Sequence, residues 1–174
     1  MMSVKYSKIL KLNKELEKSL KSSSYSITVL SNIIVQQSKE IIEYTFRSEG
    51  VNANVDFGDY DNIVQDSDKY KKSNTVIIFW ELSNIIDGFQ YKVELLDKNK
   101  LDAIFEKTKS EIDFALKNLN NTSLVLFNTF TSLPFSHSNI KKNNLESFAT
   151  QLNYYLKENI PSNVRLVDID KIIA

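Results

Sequence analysis

The chain has 174 residues, 42% hydrophobic and 25% charged, a size and balance that suit one compact domain and argue against two. Lysine plus arginine and aspartate plus glutamate number 22 each, so the formal charge is zero and the net balance gives no electrostatic argument for a nucleic-acid or anionic-membrane partner. With no cysteine and one histidine, disulfides, thiolate zinc sites, cysteine nucleophiles and multi-histidine metal sites are excluded, and three glycines are too few for a Walker or Rossmann phosphate loop.

No cofactor and no metal are expected. The N-terminus lacks the apolar run of a signal peptide, and no stretch is long and apolar enough to span a bilayer, which predicts a cytoplasmic protein. Residues 6–20 place Ile9, Leu12, Leu16 and Leu20 near helical spacing among lysines and glutamates, predicting an amphipathic helix with one buried stripe. This leading segment, residues 1–24, precedes an α/β domain over residues 25–174.

Within that domain, residues 26–30 predict a short strand and residues 36–49 a helix, with Gly50 as its C-terminal cap. Residues 51–57 alternate Val51, Ala53, Val55 and Phe57 with polar residues, the period of a strand with one apolar face at a sheet edge. Residues 75–80 and 123–127 are continuous apolar runs and predict strands covered on both faces. Between them, residues 98–119 predict a long helix. Residues 145–159 predict another, and residues 163–167 a fifth strand after Pro161. Strands alternating with helices, joined by right-handed crossovers, make an α/β three-layer α/β/α sandwich with a parallel five-stranded sheet.

In an open parallel sheet, ligands bind beyond the carboxyl ends of the strands. The residues there are Ser31 and Asn32; Gly58, Asp59, Tyr60, Asp61 and Asn62; Glu81 to Asn84; Asn128 and Thr129; and Asp168 to Asp170. A hydroxyl, small-residue amides and carboxamides converging on one edge are the parts of an acyl-transfer site. Turn and cap chemistry alone accounts for the same residue types, so both readings stand. The acidic residues Asp56, Asp59, Asp61, Asp66 and Asp68 do not follow the spacing of a calcium loop and are expected in a solvated loop. The Asp168-Ile169-Asp170 triplet mimics the first motif of haloacid-dehalogenase phosphatases but reads as the capped end of the last strand. Phe79, Trp80, Phe127, Phe130 and Phe135 are expected mainly in the core, with some lining an apolar pocket beside Ser31.

The runs Val29-Leu30-Ser31-Asn32-Ile33, Val55-Asp56-Phe57-Gly58-Asp59-Tyr60-Asp61-Asn62 and Phe127-Asn128-Thr129-Phe130 resemble the N-terminal domain of FkbH-like proteins. That domain is similar to SGNH hydrolases, which share a flavodoxin-like sandwich, and continues into a haloacid-dehalogenase-type phosphatase domain. The resemblance, from about Tyr25 onward, implies Ser31 in the nucleophile position and Gly58 as an oxyanion-hole amide. Asn128 joins them in the candidate catalytic set, and Asn32, Asp59, Glu81 and Asn84, by their place at the strand ends, are the candidates to contact the substrate. The family's asparagine after the third strand finds Glu81 in its place, with Asn84 as the first asparagine. The Asp-x-x-His pair of the hydrolases is absent, since Lys171 stands three residues after Asp168. Without a base a serine is a weak nucleophile. The one histidine, His137, is either that base or a solvated loop side chain. The implied partners are a small-molecule or carrier-protein-bound acyl substrate and a downstream phosphatase domain. The alternative is a non-catalytic module that docks a partner on an SGNH-like scaffold.

Overall fold

The computed structural model describes residues 5–132 and 143–173. In chain order the main elements are α1 (Tyr6–Ser19), β1 (Tyr25–Ser31), α2 (Lys39–Ser48), β2 (Ala53–Phe57), α3 (Ile63–Lys69), β3 (Thr75–Phe79) and α4 (Phe89–Lys92). They are followed by α5 (Lys98–Asn118), β4 (Leu124–Asn128), α6 (Asn144–Asn159), β5 (Val164–Val167) and α7 (Ile169–Ile173). The sheet is all parallel, in the order β2-β1-β3-β4-β5. The direction of winding therefore reverses between β1 and β3, so the crevice beyond their carboxyl ends is the topological switch point.

Alternation along the strands splits the core in two. On one face Leu30, Val76, Ile78, Val125, Phe127 and Val164 pack against α3, α5 and α6 through Ile63, Ile112, Leu116, Phe148 and Leu152. On the other, Ile27, Val29, Ala53 and Val55 pack against Ile42 and Phe46 of α2. Helices on both faces of a parallel sheet make the three-layer sandwich. Local sequence sets the boundaries. Gly50 takes φ +83°, the left-handed turn that stops α2. The Asp97 carboxylate accepts the Lys100 N–H at 2.9 Å and starts α5, a bond that holds its carboxyl below the ordinary range. Asn143 starts α6 by accepting the Glu146 N–H at 3.0 Å.

Three expectations need correction. β3 and β4 are not covered on both faces: Val76, Ile78, Val125 and Phe127 are buried, whereas Ile77, Phe79, Leu124 and Leu126 are half-buried. The reason is that α2, the helix packed on that face, lies over β1 and β2. Second, the acidic stretch is not all solvated loop, because residues 63–69 form α3 and bury Asp66. Third, the stripe of α1 is only half covered. Ile9, Leu12, Leu16 and Leu20 remain half-buried, and the buried residue of the helix is Asn13. Helix α1 packs on α2 and not on the sheet, and a polar cluster ties the two together. Asn13 donates to Glu43 Oε2 at 3.1 Å and accepts from Arg47 at 2.9 Å, while Glu43 Oε1 accepts the Val55 N–H at 3.1 Å.

The Tyr155 hydroxyl on α6 donates to Asp113 of α5 at 2.6 Å. Burial first, then this bond, push the Tyr155 hydroxyl up to about 12. A raised value favours the neutral form in the folded state. Its contribution is therefore complete below the ordinary value of 10.0 and is lost as the pH rises through about 12. Urea unfolding between these limits is expected to show a steeper loss of stability for the wild type than for Tyr155→Phe.

Candidate functional site

Asparagine side chains hold the carboxyl edge of the sheet together. Beyond the last ladder pair of β1 and β3, Asn32 Oδ1 accepts the Glu81 N–H at 2.7 Å and its Nδ2 donates to the Glu81 carbonyl at 2.9 Å. From the other side, Asn128 Oδ1 accepts the Trp80 N–H at 2.7 Å, and its Nδ2 donates to the carbonyls of Trp80 at 3.1 Å and Thr129 at 3.0 Å. Asn153 of α6 does the same for Phe130, at 2.8 Å in each direction. A carboxamide carries one acceptor oxygen and two N–H donors, the complement of a peptide group. These three side chains therefore continue the ladder past the ends of β3 and β4 without a strand neighbour.

Ser31 ends β1 and is 6% exposed. Its Oγ accepts the Ile33 N–H at 3.0 Å, and its carbonyl accepts the Asp61 N–H at 3.1 Å. Among the described residues no side chain takes the Ser31 hydroxyl proton. Gly58 donates its N–H to the Val29 carbonyl at 2.9 Å, as part of the β1–β2 pairing. A Cβ at Gly58 would stand 2.5 Å from Asp66 Oδ2 and 2.7 Å from Leu30 Cδ2. The buried Asp66 carboxylate fills that space, accepting the Asp59 N–H at 2.6 Å and Asn62 Nδ2 at 3.1 Å. It fixes the turn after β2, in which Asp61 adopts φ +54°. Gly58→Ala is expected to cost about 1–3 kcal/mol by forcing these neighbours apart, seen as a lower urea midpoint at unchanged slope.

Glu81 caps the turn after β3, its Oε1 accepting from the Ser83 N–H at 3.4 Å and the Ser83 hydroxyl at 3.3 Å. Asn84 donates to the Asn32 carbonyl at 3.1 Å. The structure thus gathers Ser31, Asn32, Asp61, Glu81 and Asn84 at the β1/β3 switch point, with Gly58 and Asp59 beside them. Asn128 stands across β3 from that group. His137 and Phe135 lie outside the described residues.

A cavity of about 200 Å³ opens at this edge, walled by Asp61, Gln65, Trp80, Asn84, Lys107 and Glu111. It sits on the α3/α5 side. Ser31 is not among its walls, because Ser31 keeps step with Ile27 and Val29 on the α2 side of β1. The pocket is mostly polar, with apolar lining from Trp80, stacked on Phe127 at 6.1 Å between centroids, and from Ile63, Val64 and Ile85. Lys107 pairs with Glu111 at 3.5 Å along one wall. The cavity next to Trp80 is thus mostly polar and does not include Ser31, and Phe127 and Phe130 belong to the core. Lys107 and Glu111 escaped the sequence reading because they lie mid-helix, about two turns or more from either end of α5 and farther still from any strand. At the last strand, Asp168 accepts the Lys171 N–H at 3.2 Å and is held below its ordinary range chiefly by that bond. Among the described residues no group of three or more His, Asp or Glu side chains is placed to hold a metal ion.

No protein-family model matches the chain, and no curated protein matches it. A solved structure with this fold is the crystal structure of the N-terminal part of the protein BF1531 from Bacteroides fragilis, which contains a phosphatase domain and is complexed with Mg. The likeness has a TM-score of 0.66 at 15% identity and covers 92% of this chain and 46% of that one. This chain thus spans less than half the length of the protein it resembles. The shared property is the fold, an α/β sandwich with an all-parallel five-stranded sheet.

Proposed function

We propose that this chain is the SGNH-like, N-terminal domain of an FkbH-like biosynthetic protein and serves as a non-catalytic binding module beside a phosphatase domain. One observation carries the reading: the groups an SGNH hydrolase turns toward an oxyanion are here spent on the backbone. The Gly58 N–H is bonded to Val29, the Asn84 amide, from the first asparagine after the third strand, donates to the Asn32 carbonyl, and both donors of Asn128, after the fourth strand, are bonded to Trp80 and Thr129. An oxyanion hole works only if its donors are aimed at the reacting oxygen before it becomes charged. Withdrawing these donors would cost the hydrogen bonds that hold the ends of β2 and β3. The phosphatase domain of the BF1531 structure supports the placement beside a phosphatase, and the polar cavity at the switch point supplies a place for a small ligand. A cytoplasmic setting belongs to the same reading; no helix among the described residues is long and apolar enough to cross a membrane.

The test is hydrolysis of short-chain acyl esters by the full chain. Turnover is expected to equal the buffer rate and to be unchanged by Ser31→Ala. Turnover lost in Ser31→Ala would overturn the reading.

The second reading, an acyl-handling enzyme with Ser31 as nucleophile, is favoured by the Ser31 hydroxyl proton, which no described side chain accepts. It requires His137 as base, so His137→Ala would then abolish the ester turnover. Its substrate would be a small-molecule or carrier-protein-bound acyl group.

A further inference from the structure

The formal charge of zero hides a segregation. Residues 5–21 hold six lysines and two glutamates, a local excess of four positive charges, and the rest of the chain carries the matching negative excess. On α1 the inner side is marked by buried Asn13 and half-buried Ile9, Leu12 and Leu16. Lys11, Lys14 and Lys18, at i, i+3 and i+7, share the opposite side and are exposed, with Lys8 next to them and Lys21 continuing the row past the helix end. Among the described residues one of these lysines has an acidic neighbour within ion-pair range, Lys11 with Glu15 at 4.0 Å.

Beside this row runs a groove of about 430 Å³ between α1 and α2, floored by Leu12, Leu16 and Tyr44, ending on Ser19 and Ser48, and lined by one carboxylate, Glu15, whose charge is paired with Lys11. Ile41, one turn before Tyr44 on α2, is 44% exposed on the same helix. The surface is therefore an apolar furrow with a lysine bank on its α1 side. Lysines make compact point charges with no fork to read phosphate bidentately, and a single aromatic in the furrow, Tyr44, does not make the row of platforms on which successive bases stack. A membrane would require a projecting apolar face, whereas the half-buried Leu12 and Leu16 lie at the floor of a groove between two helices. What matches both halves is an amphipathic helix that places apolar residues in the furrow and carboxylates along the lysine bank.

We infer that the α1/α2 surface docks an acidic amphipathic helix of a partner protein. This goes beyond the strand-end site and does not depend on its reading. Association is steered by the lysine row and salt-sensitive, because every charge involved is exposed.

The test uses the full chain and a fluorescent synthetic helix with leucine at i, i+3, i+4 and i+7 and glutamate on the flanking positions. Anisotropy is expected to show saturable binding that weakens at least tenfold in the triple variant Lys11→Glu/Lys14→Glu/Lys18→Glu, since three attractive pairs become repulsive. These lysines are exposed, so the variant should melt with the wild type, and a matched melt makes a null binding result decisive. Tyr44→Glu, at the furrow floor, should also weaken binding severalfold without touching the lysines. The inference is overturned if the peptide does not bind, if the variants bind it as the wild type does, or if a glutamine-for-glutamate peptide binds equally. It is also overturned if vesicles containing phosphatidylserine or a single-stranded oligonucleotide bind more tightly than the acidic helix.

Discussion

Asn128→Asp is expected to destabilise the protein by about 3 kcal/mol or more at neutral pH, a fall of roughly 6–12 °C in Tm for a chain of this size. Asn128 is 5% exposed, and its amide nitrogen faces the carbonyls of Trp80 and Thr129. A carboxylate there keeps the Trp80 N–H but turns its second oxygen toward two acceptors, in a place where no counter-charge is bonded to it. Burial pushes such a carboxyl up, because protonation restores one donor. A raised carboxyl stabilises the fold fully below its unfolded value and loses that contribution as the pH rises through the folded value. The gap between Asn128→Asp and the wild type should therefore narrow as the pH falls toward 4, followed by thermal melts. Asn128→Ala leaves one N–H and two carbonyls unpaired and should cost a similar amount without the pH trend. A side chain held free for catalysis would show neither loss.

Glu43→Ala is expected to cost about 3–5 kcal/mol. The reason is Arg47, which is 2% exposed and relies on Glu43 at 3.5 Å inside the seam between α1 and α2. Removing Glu43 also orphans the Val55 N–H in the middle of β2 and the Asn13 amide. Among the described residues, the buried Arg47 Nε has no hydrogen-bond partner even in the wild type. Glu17 also reaches Arg47 at 3.5 Å, but its side chain is 57% exposed. Glu17→Ala should therefore change stability by less than about 1 kcal/mol. Urea unfolding of the two variants distinguishes them. If they lose equal stability, the buried cluster does not act as described. Replacing the pair together, Glu43→Leu with Arg47→Met, should recover much of the loss, because the cost lies in the charge left unpaired.

The architecture was legible because period-two and period-3.6 patterns are written locally. Val51 to Phe57 alternates cleanly, and β2 is indeed an edge strand of the parallel sheet. Helix α3 was not legible, because residues 63–69 carry three polar residues and two aspartates among two apolar ones, and what draws the segment into the core is Ile63 and the buried Asp66. The half-open faces of β3 and β4 were not legible either, since an apolar run looks the same whether a helix covers one side or two. At the strand ends the residue types were visible but their use was not. Asn32 and Asn128 look alike to a substrate-binding and a ladder-extending reading, and only distances to Glu81 and Trp80 separate the two. Asn153 gave no signal at all, because it lies mid-helix and meets Phe130 through the tertiary fold. The charge segregation on α1 was hidden by a balanced total, which sums over exposed rows that face different ways.

The claim on which the account turns is that the strand-end groups serve the fold and leave Ser31 inert. It is tested most directly by treating the full chain with a fluorophosphonate, which labels serines activated by a base and an oxyanion hole, and mapping the adduct by peptide mass spectrometry. No adduct at Ser31, on protein shown by its melt to be folded, is the predicted result. A stoichiometric adduct on Ser31 would contradict the account and return this edge of the sheet to catalysis.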